Sequence, residues 1–218
     1  MRIVASKKSL DLIINEEVGS QPYYEKKLQG AVWPKGESGV TVGIGYDLGY
    51  NNKAQIAIDW KDYVSPAILA LLQGAAGLKG EAANAYLKAN PSLKAIKIPF
   101  KTAVKVFYEK TLPRYTRMTN DIYPGLDQLK PDAVGALVSM VFNRGSALKG
   151  DRRVEMKNIV PLVKSKDYAA IAAEVEKSKR LWVGTAVSGV ATRRVTEAKF
   201  IRNAVREYKL DELVGVDI

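Results

Sequence analysis

Apolar residues at Leu10, Ile13, Ile14 and Val18 recur at i, i+3, i+4 and i+8. That is the spacing of one helix face, so residues 10–18 are predicted to be a helix capped by Ser9 or Ser6 and stopped by Gly19. Glu17 falls on the apolar stripe, whereas Glu16 is turned about 100° away and is expected to be solvated. The period then changes. Trp33-Pro34-Lys35-Gly36-Glu37-Ser38-Gly39 has turn chemistry, and Val40-Thr41-Val42-Gly43-Ile44-Gly45-Tyr46 reads as a glycine-rich strand in a hairpin. Glycines weaken a strand and are best explained where a ligand or another backbone comes close. Beyond Asn51, helical patterns cover residues 65–73, 80–89 and 100–111, punctuated by Pro91, Pro99 and Pro113. Residues 132–142, opened by Pro131, are apolar nearly all round, which marks a central buried helix with Gly145 as its C-terminal cap. Further helices are expected over 158–162, 168–179 and 192–208. No repeat, low-complexity tract or heptad run is present.

These elements define an α+β, mainly α chain, expected to form a single domain over 1–218 with two lobes. A small hairpin-containing lobe spans about 1–62, a connecting region about 63–98 and a larger helical lobe about 99–218, with the cleft between lobes as the default binding site.

With 218 residues, 47% hydrophobic and 26% charged, the chain can bury a sizeable core and is not a disordered protein. It has no cysteine and no histidine, which excludes disulfides, thiolate metal sites, cysteine nucleophiles, serine-histidine triads and zinc hydrolase chemistry. Acid-base work therefore falls to carboxylates, lysine or tyrosine. The net charge of +11 points to a polyanionic partner: nucleic acid, an acidic membrane surface or the anionic polymers of a bacterial wall. No apolar run approaches the roughly 18 residues needed to span a bilayer, so no integral membrane segment is expected. The N-terminus lacks the apolar core and cleavage site of a secretory signal, so synthesis in the cytoplasm and release by another protein are expected for any work outside it.

Glu17 is the first candidate for chemistry. A carboxyl on an apolar helix face near a helix end is poorly solvated and its pKa is expected to rise, which suits an acid that protonates a glycosidic oxygen. An ordinary polar edge, paired with Lys26, Lys27 or an arginine, explains it equally well. Thr41 and Ser38 could hold a water or a sugar hydroxyl, although β-propensity alone accounts for Thr41. In an extended strand Asp47 would share a face with Thr41, Gly43 and Gly45; its plainer role is an Asx-turn leading out of the hairpin. Gly43-x-Gly45 does not complete a dinucleotide fingerprint.

The order of these features, Glu17 ending the first helix, Tyr23-Tyr24, then Thr41-Val42-Gly43-Ile44-Gly45, resembles the phage-type lysozymes of glycoside hydrolase family twenty-four. Residues 132–145 are similar to that family's buried helix, and Arg193-Arg194-Val195-Thr196-Glu197 to its Arg-Arg-x-x-Glu segment; an i, i+4 ion pair is the expected role of Arg193 and Glu197. Residues 51–95 match nothing in the family. The resemblance implies a lysozyme-like fold and an endolysin-type peptidoglycan hydrolase, a bacteriolytic muramidase that cuts the β-1,4 bond between N-acetylmuramic acid and N-acetylglucosamine with inversion. Glu17 would be the acid, and Thr41 would hold the attacking water. The family's aspartate six residues before that threonine is replaced by Lys35. Asp47, helped by Ser38, is the favoured substitute, and Glu37 the other. Substrate contacts are expected from Gly45, Tyr46, Glu37, Asn143 and Arg144, with C-terminal capping of the buried helix as the other role for Asn143 and Arg144, and with Trp33, Trp60 and Trp182 as aromatic candidates more often found in a core. No metal or organic cofactor is implied, and a monomer acting on peptidoglycan in the periplasm or outside the cell is expected. Three other readings are a lytic transglycosylase, a non-catalytic wall-binding or virion protein on a decayed lysozyme frame, and a basic nucleic-acid binder. Charge alone suggests the last, and no helix-turn-helix, RNP or zinc motif supports it, so no nucleic-acid partner is expected.

Overall fold

The computed structural model describes residues 1–185 and 187–218. It is mainly helical, with 65% of residues in helices and only small sheets, which places the chain in the α+β, mainly α class. The described chain divides into two compact units, Met1–Glu16 with Pro113–Ile218, and Glu17–Leu112. The expected limits near residues 62 and 98 both fall inside the second unit. No helix among the described residues is long and apolar enough to cross a membrane.

The first unit is closed by its termini. Strand β1 (Arg2–Ser6) pairs antiparallel with β4 (Leu213–Asp217), in a register that sets Arg2 opposite Asp217 and Ser6 opposite Leu213. Helix α1 (Lys7–Val18) follows at once; Ser6 Oγ accepts the Ser9 amide at 3.2 Å, and Gly19, at φ +70°, leaves the helix. In the second unit lie α2 (Gln21–Lys27), the hairpin of β2 (Thr41–Val42) and β3 (Tyr46–Asp47), and α3 (Lys53–Trp60), α4 (Pro66–Gly74), α5 (Gly80–Ala89), α6 (Pro91–Ala95) and α7 (Phe100–Val106). Ser65 caps α4 as its position before Pro66 suggests. The core of this unit gathers Tyr24, Val40, Leu48, Ile56, Trp60, Leu72 and Leu93. The Tyr24 ring lies 5.4 Å from that of Phe100, and its hydroxyl donates to the Ile98 carbonyl at 3.0 Å.

The remaining helices are α8 (Leu112–Ile122), α9 (Pro131–Arg144), α10 (Val154–Ser165), α11 (Tyr168–Lys177) and α12 (Gly189–Arg202). Helix α9 is the buried helix expected from the pattern: Ala133, Val134, Ala136, Leu137, Val138, Met140 and Val141 are all buried, and Gly145, at φ +72°, caps it. It packs on β1 and α12. Gly135 permits a close approach to α1, because a Cβ there would lie 1.9 Å from Ser9 Oγ.

Two expectations are corrected. Residues 40–46 are not one strand: Gly43-Ile44-Gly45 is the turn of the hairpin, with both glycines at φ +59°, and the flanking strands are two residues each. Alternating glycines mimic a strand's period, yet positive φ is what they supply here. The last helix ends at Arg202 rather than near 208. Arg206 turns to Asp132 instead, donating from Nε at 2.9 Å, and Tyr208 caps the Ala204 carbonyl at 2.7 Å.

Candidate active site

The hairpin and the end of α1 meet in the second unit. Glu17 is half-buried, while Glu16 is exposed, as the stripe implied. The Glu17 carboxylate lies directly over the turn: a Cβ on Gly45 would stand 2.7 Å from Oε2 and 3.1 Å from Cδ. Gly45 is therefore not only a turn residue at positive φ. Its bare Cα leaves the space that the acid occupies. Gly43 performs the same service for the core, where a Cβ would meet Trp60 Cη2 at 3.0 Å.

Asp47 pairs with Thr41 across the hairpin. Cross-strand partners project from the same face, so the shared face expected for Thr41 and Asp47 is produced by hairpin pairing rather than by one continuous strand. The Asp47 carboxylate accepts the Gly39 amide at 3.0 Å on Oδ2 and the Gly49 amide at 2.8 Å on Oδ1, and caps the 3-10 turn Leu48–Tyr50. The Asx-turn role is thus present. Burial nevertheless pushes its pKa above the ordinary aspartate value, against the opposing pull of these amides and of Lys79. Thr41 Oγ1 donates to the Gly39 carbonyl at 3.4 Å, which leaves its lone pairs as acceptors.

Ser38 is half-buried; its carbonyl accepts the Trp33 indole N–H at 3.1 Å and the Gly80 amide at 3.0 Å. Glu37 is exposed in the preceding turn, its Oε2 facing Gly80. Lys35, in the register of the missing aspartate, is exposed and holds a left-handed φ of 78°. Residues 77–80 fold back on the hairpin: the Gly77 amide bonds the Leu48 carbonyl at 3.2 Å. This brings Lys79 over the Tyr50 ring at 3.7 Å and beside Asp47. No periodicity in residues 51–95 announces that approach.

Three aromatic candidates are committed elsewhere. Tyr46 is buried, with its hydroxyl donating to Asp59 at 2.7 Å and its ring edge-on to Trp60 at 5.5 Å, so it offers no face to a sugar. Trp60 is fully buried. Trp182 lies in the first unit beneath two guanidinium groups, Arg144 at 5.1 Å and Arg194 at 5.8 Å.

Asn143 and Arg144 belong to the last turn of α9 in the first unit. Asn143 is exposed. Arg144, expected to meet substrate carboxylates, is instead buried, donates to the Arg152 carbonyl and packs on Trp182. Its desolvation, with Arg153 and Arg194 nearby, lowers its pKa to about 10. Arg144→Ala should lower the melting temperature through a loss of about 1–3 kcal/mol, read by thermal unfolding; an unchanged melting point would contradict this structural role. Arg193 and Glu197 do form the expected i, i+4 ion pair, at 3.3 Å and buried. Among the described residues no group of three or more His, Cys, Asp or Glu side chains could hold a metal ion.

The family model described as Domain of unknown function (DUF8812) matches residues 14–124, and the chain belongs to that family. The matched stretch contains Glu17, Glu37, Ser38, Thr41, Gly45, Tyr46 and Asp47 and stops before Asn143 and Arg144. No curated protein matches the chain.

Proposed function

We propose that the chain is a peptidoglycan hydrolase of the muramidase type, with Glu17 as general acid. The observation that carries this reading is the Glu17 carboxylate lodged against Gly45, on the same hairpin that pairs Thr41 with Asp47. Protonated Glu17 donates to the glycosidic oxygen between N-acetylmuramic acid and N-acetylglucosamine, and positive charge develops at the anomeric carbon as the bond breaks. A water accepted by Thr41 attacks the opposite face and passes its proton to Asp47. Inversion by this route needs about 6.5–9.5 Å between the two carboxyls. The net charge of +11 draws the protein to an anionic wall before any specific contact forms.

A second reading is supported by the two amides that occupy the Asp47 carboxylate. If those bonds make Asp47 purely structural, Glu17 acts alone as acid and base and the muramic acid hydroxyl attacks its own anomeric carbon, which is the lytic transglycosylase reaction.

Clearing of purified sacculi tests the proposal, with Asp47→Asn and Glu37→Gln run beside the wild type. Wild type should clear the suspension. Asp47→Asn should be slower by about 10²-fold or more, and Glu37→Gln little changed. Because the Asp47 pKa is raised, the base is lost to protonation at a higher pH than an ordinary aspartate. The acid limb of the wild-type rate should therefore lie above the usual aspartate range and be absent from the residual activity of Asp47→Asn. Wild type that binds sacculi and releases nothing would contradict hydrolysis, and full activity in Asp47→Asn would remove Asp47 from the mechanism.

A further inference from the structure

Residues 51–95 bring Lys79 beside Asp47, in a position that runs against local preference. Lys79 is the N-cap of α5, yet its side chain makes no cap hydrogen bond. An N-cap favours serine, threonine, asparagine or aspartate, and a cation there opposes the positive end of the helix dipole. The helix therefore gains nothing from a lysine at this position.

What holds the side chain is the exit of the hairpin. The Gly77 amide bonds the Leu48 carbonyl at 3.2 Å and the Gly80 amide bonds the Ser38 carbonyl at 3.0 Å, so the backbone is pinned on both sides of Lys79. Its stem packs on Gly49, where a Cβ would lie 3.0 Å from Lys79 Cγ, and its ammonium sits 3.7 Å from the centre of the Tyr50 ring. A ring face attracts a cation without neutralising it. The charge thus remains beside the Asp47 carboxylate, whose hydrogen bonds come from the Gly39 and Gly49 amides, with the Tyr50 amide also turned toward it. The other ionisable side chains on the segments packed around Asp47 are Lys35 and Glu37 in the turn before the hairpin, Glu17 over Gly45, and Tyr46, which donates to Asp59. Among the described residues Lys79 is the charged side chain whose field bears on Asp47.

We propose that Lys79 is a positioning residue of the site: its ammonium, held on the Tyr50 ring, keeps the half-buried Asp47 carboxylate charged, and residues 77–80 belong to the site rather than to a spacer. The consequence for turnover rests on the hydrolase reading, whereas the effect on Asp47 does not. Burial raises the Asp47 pKa and Lys79 pulls it back, so removing the ammonium moves the protonation of Asp47 to still higher pH.

The test follows the side-chain carboxyl carbon of Asp47 by NMR over pH in wild type, Lys79→Met, Lys79→Ser, Lys79→Arg and Tyr50→Leu. Asp47 should titrate at a higher pH in Lys79→Met and Lys79→Ser than in wild type, near the wild-type pH in Lys79→Arg, and be displaced in the same direction by Tyr50→Leu, which frees the ammonium. The difference between wild type and Lys79→Met should shrink in 1 M salt, because the lysine is exposed and its field is screened. Lys79→Ser should melt no lower than wild type, since serine is the better cap. In the clearing of sacculi, the acid limb of Lys79→Met should move to higher pH, with a rate on that limb roughly two- to fivefold below wild type. The proposal is overturned if Asp47 titrates alike in wild type and Lys79→Met, if Lys79→Arg fails to restore the wild-type titration, or if Lys79→Ser lowers the melting point, which would make the lysine structural. A displaced titration in a protein that clears no sacculi supports the placement of Lys79 and removes the hydrolase reading instead.

Discussion

Glu17→Gln should abolish release of muropeptides from purified sacculi, lowering the rate by about 10²–10⁴-fold while wall binding and the melting temperature stay at their wild-type values. The amide is nearly isosteric with the acid, so it can occupy the same place over Gly45 without disturbing the turn. What it cannot do is give up a proton to the leaving oxygen. A companion variant addresses position rather than chemistry. Alanine at Gly45 must adopt φ +59° and set its Cβ 2.7 Å from Glu17 Oε2, so Gly45→Ala should also lose activity although its acid is intact. Full activity in Glu17→Gln would remove the residue on which the proposed function rests.

The largest loss of stability is expected from Glu197→Ala. In the first unit the Glu197 carboxylate accepts from Ser139 Oγ at 2.6 Å, Arg194 Nη2 at 2.8 Å and Arg193 Nε at 3.3 Å, and all four side chains are buried. Burial drives the Arg194 pKa down, and Glu197 is the charge that opposes it. Removing the carboxylate leaves two guanidinium groups without their counter-charge inside the core. Breaking a buried pair in this way costs about 3–5 kcal/mol. At about 2–4 °C per kcal/mol for a chain of this size, the melting point should fall by about 6–20 °C. Glu176 makes a useful control: it pairs with Arg202 and Lys179 at the surface, where the cost of Glu176→Ala should stay below about 1 kcal/mol. Equal melting points for Glu197→Ala and wild type would contradict the buried-pair account.

Eight helices of this fold were legible because their signals are local, whereas α2, α3, α6 and α8 were not anticipated. The apolar run of 132–142 between Pro131 and Gly145 marked α9, and the helical pattern over 65–73 marked α4. Glu17 could be singled out because one helix face of four apolar residues placed it on the buried side. The hairpin turn was misread because a strand and a turn with alternating glycines share the period of two. The sheet of β1 and β4 was not legible, since five residues at each end pair across the whole length of the chain. Nor was the approach of Lys79 to Asp47, which depends on backbone bonds between residues 77–80 and the hairpin. Arg144 shows the converse error. A cation ending an almost wholly apolar helix was read as facing a ligand, whereas its stem and guanidinium are used to pack on Trp182.

The central claim is hydrolysis of the glycan by an acid at Glu17, and the sugar end of the product tests it most directly. Soluble fragments released by wild type from purified peptidoglycan, separated by chromatography and weighed by mass spectrometry before and after borohydride treatment, should carry reducible N-acetylmuramic acid ends, and Glu17→Gln should release none. Fragments ending in 1,6-anhydro-muramic acid, which borohydride leaves unchanged, would contradict hydrolysis and assign the site to transglycosylation.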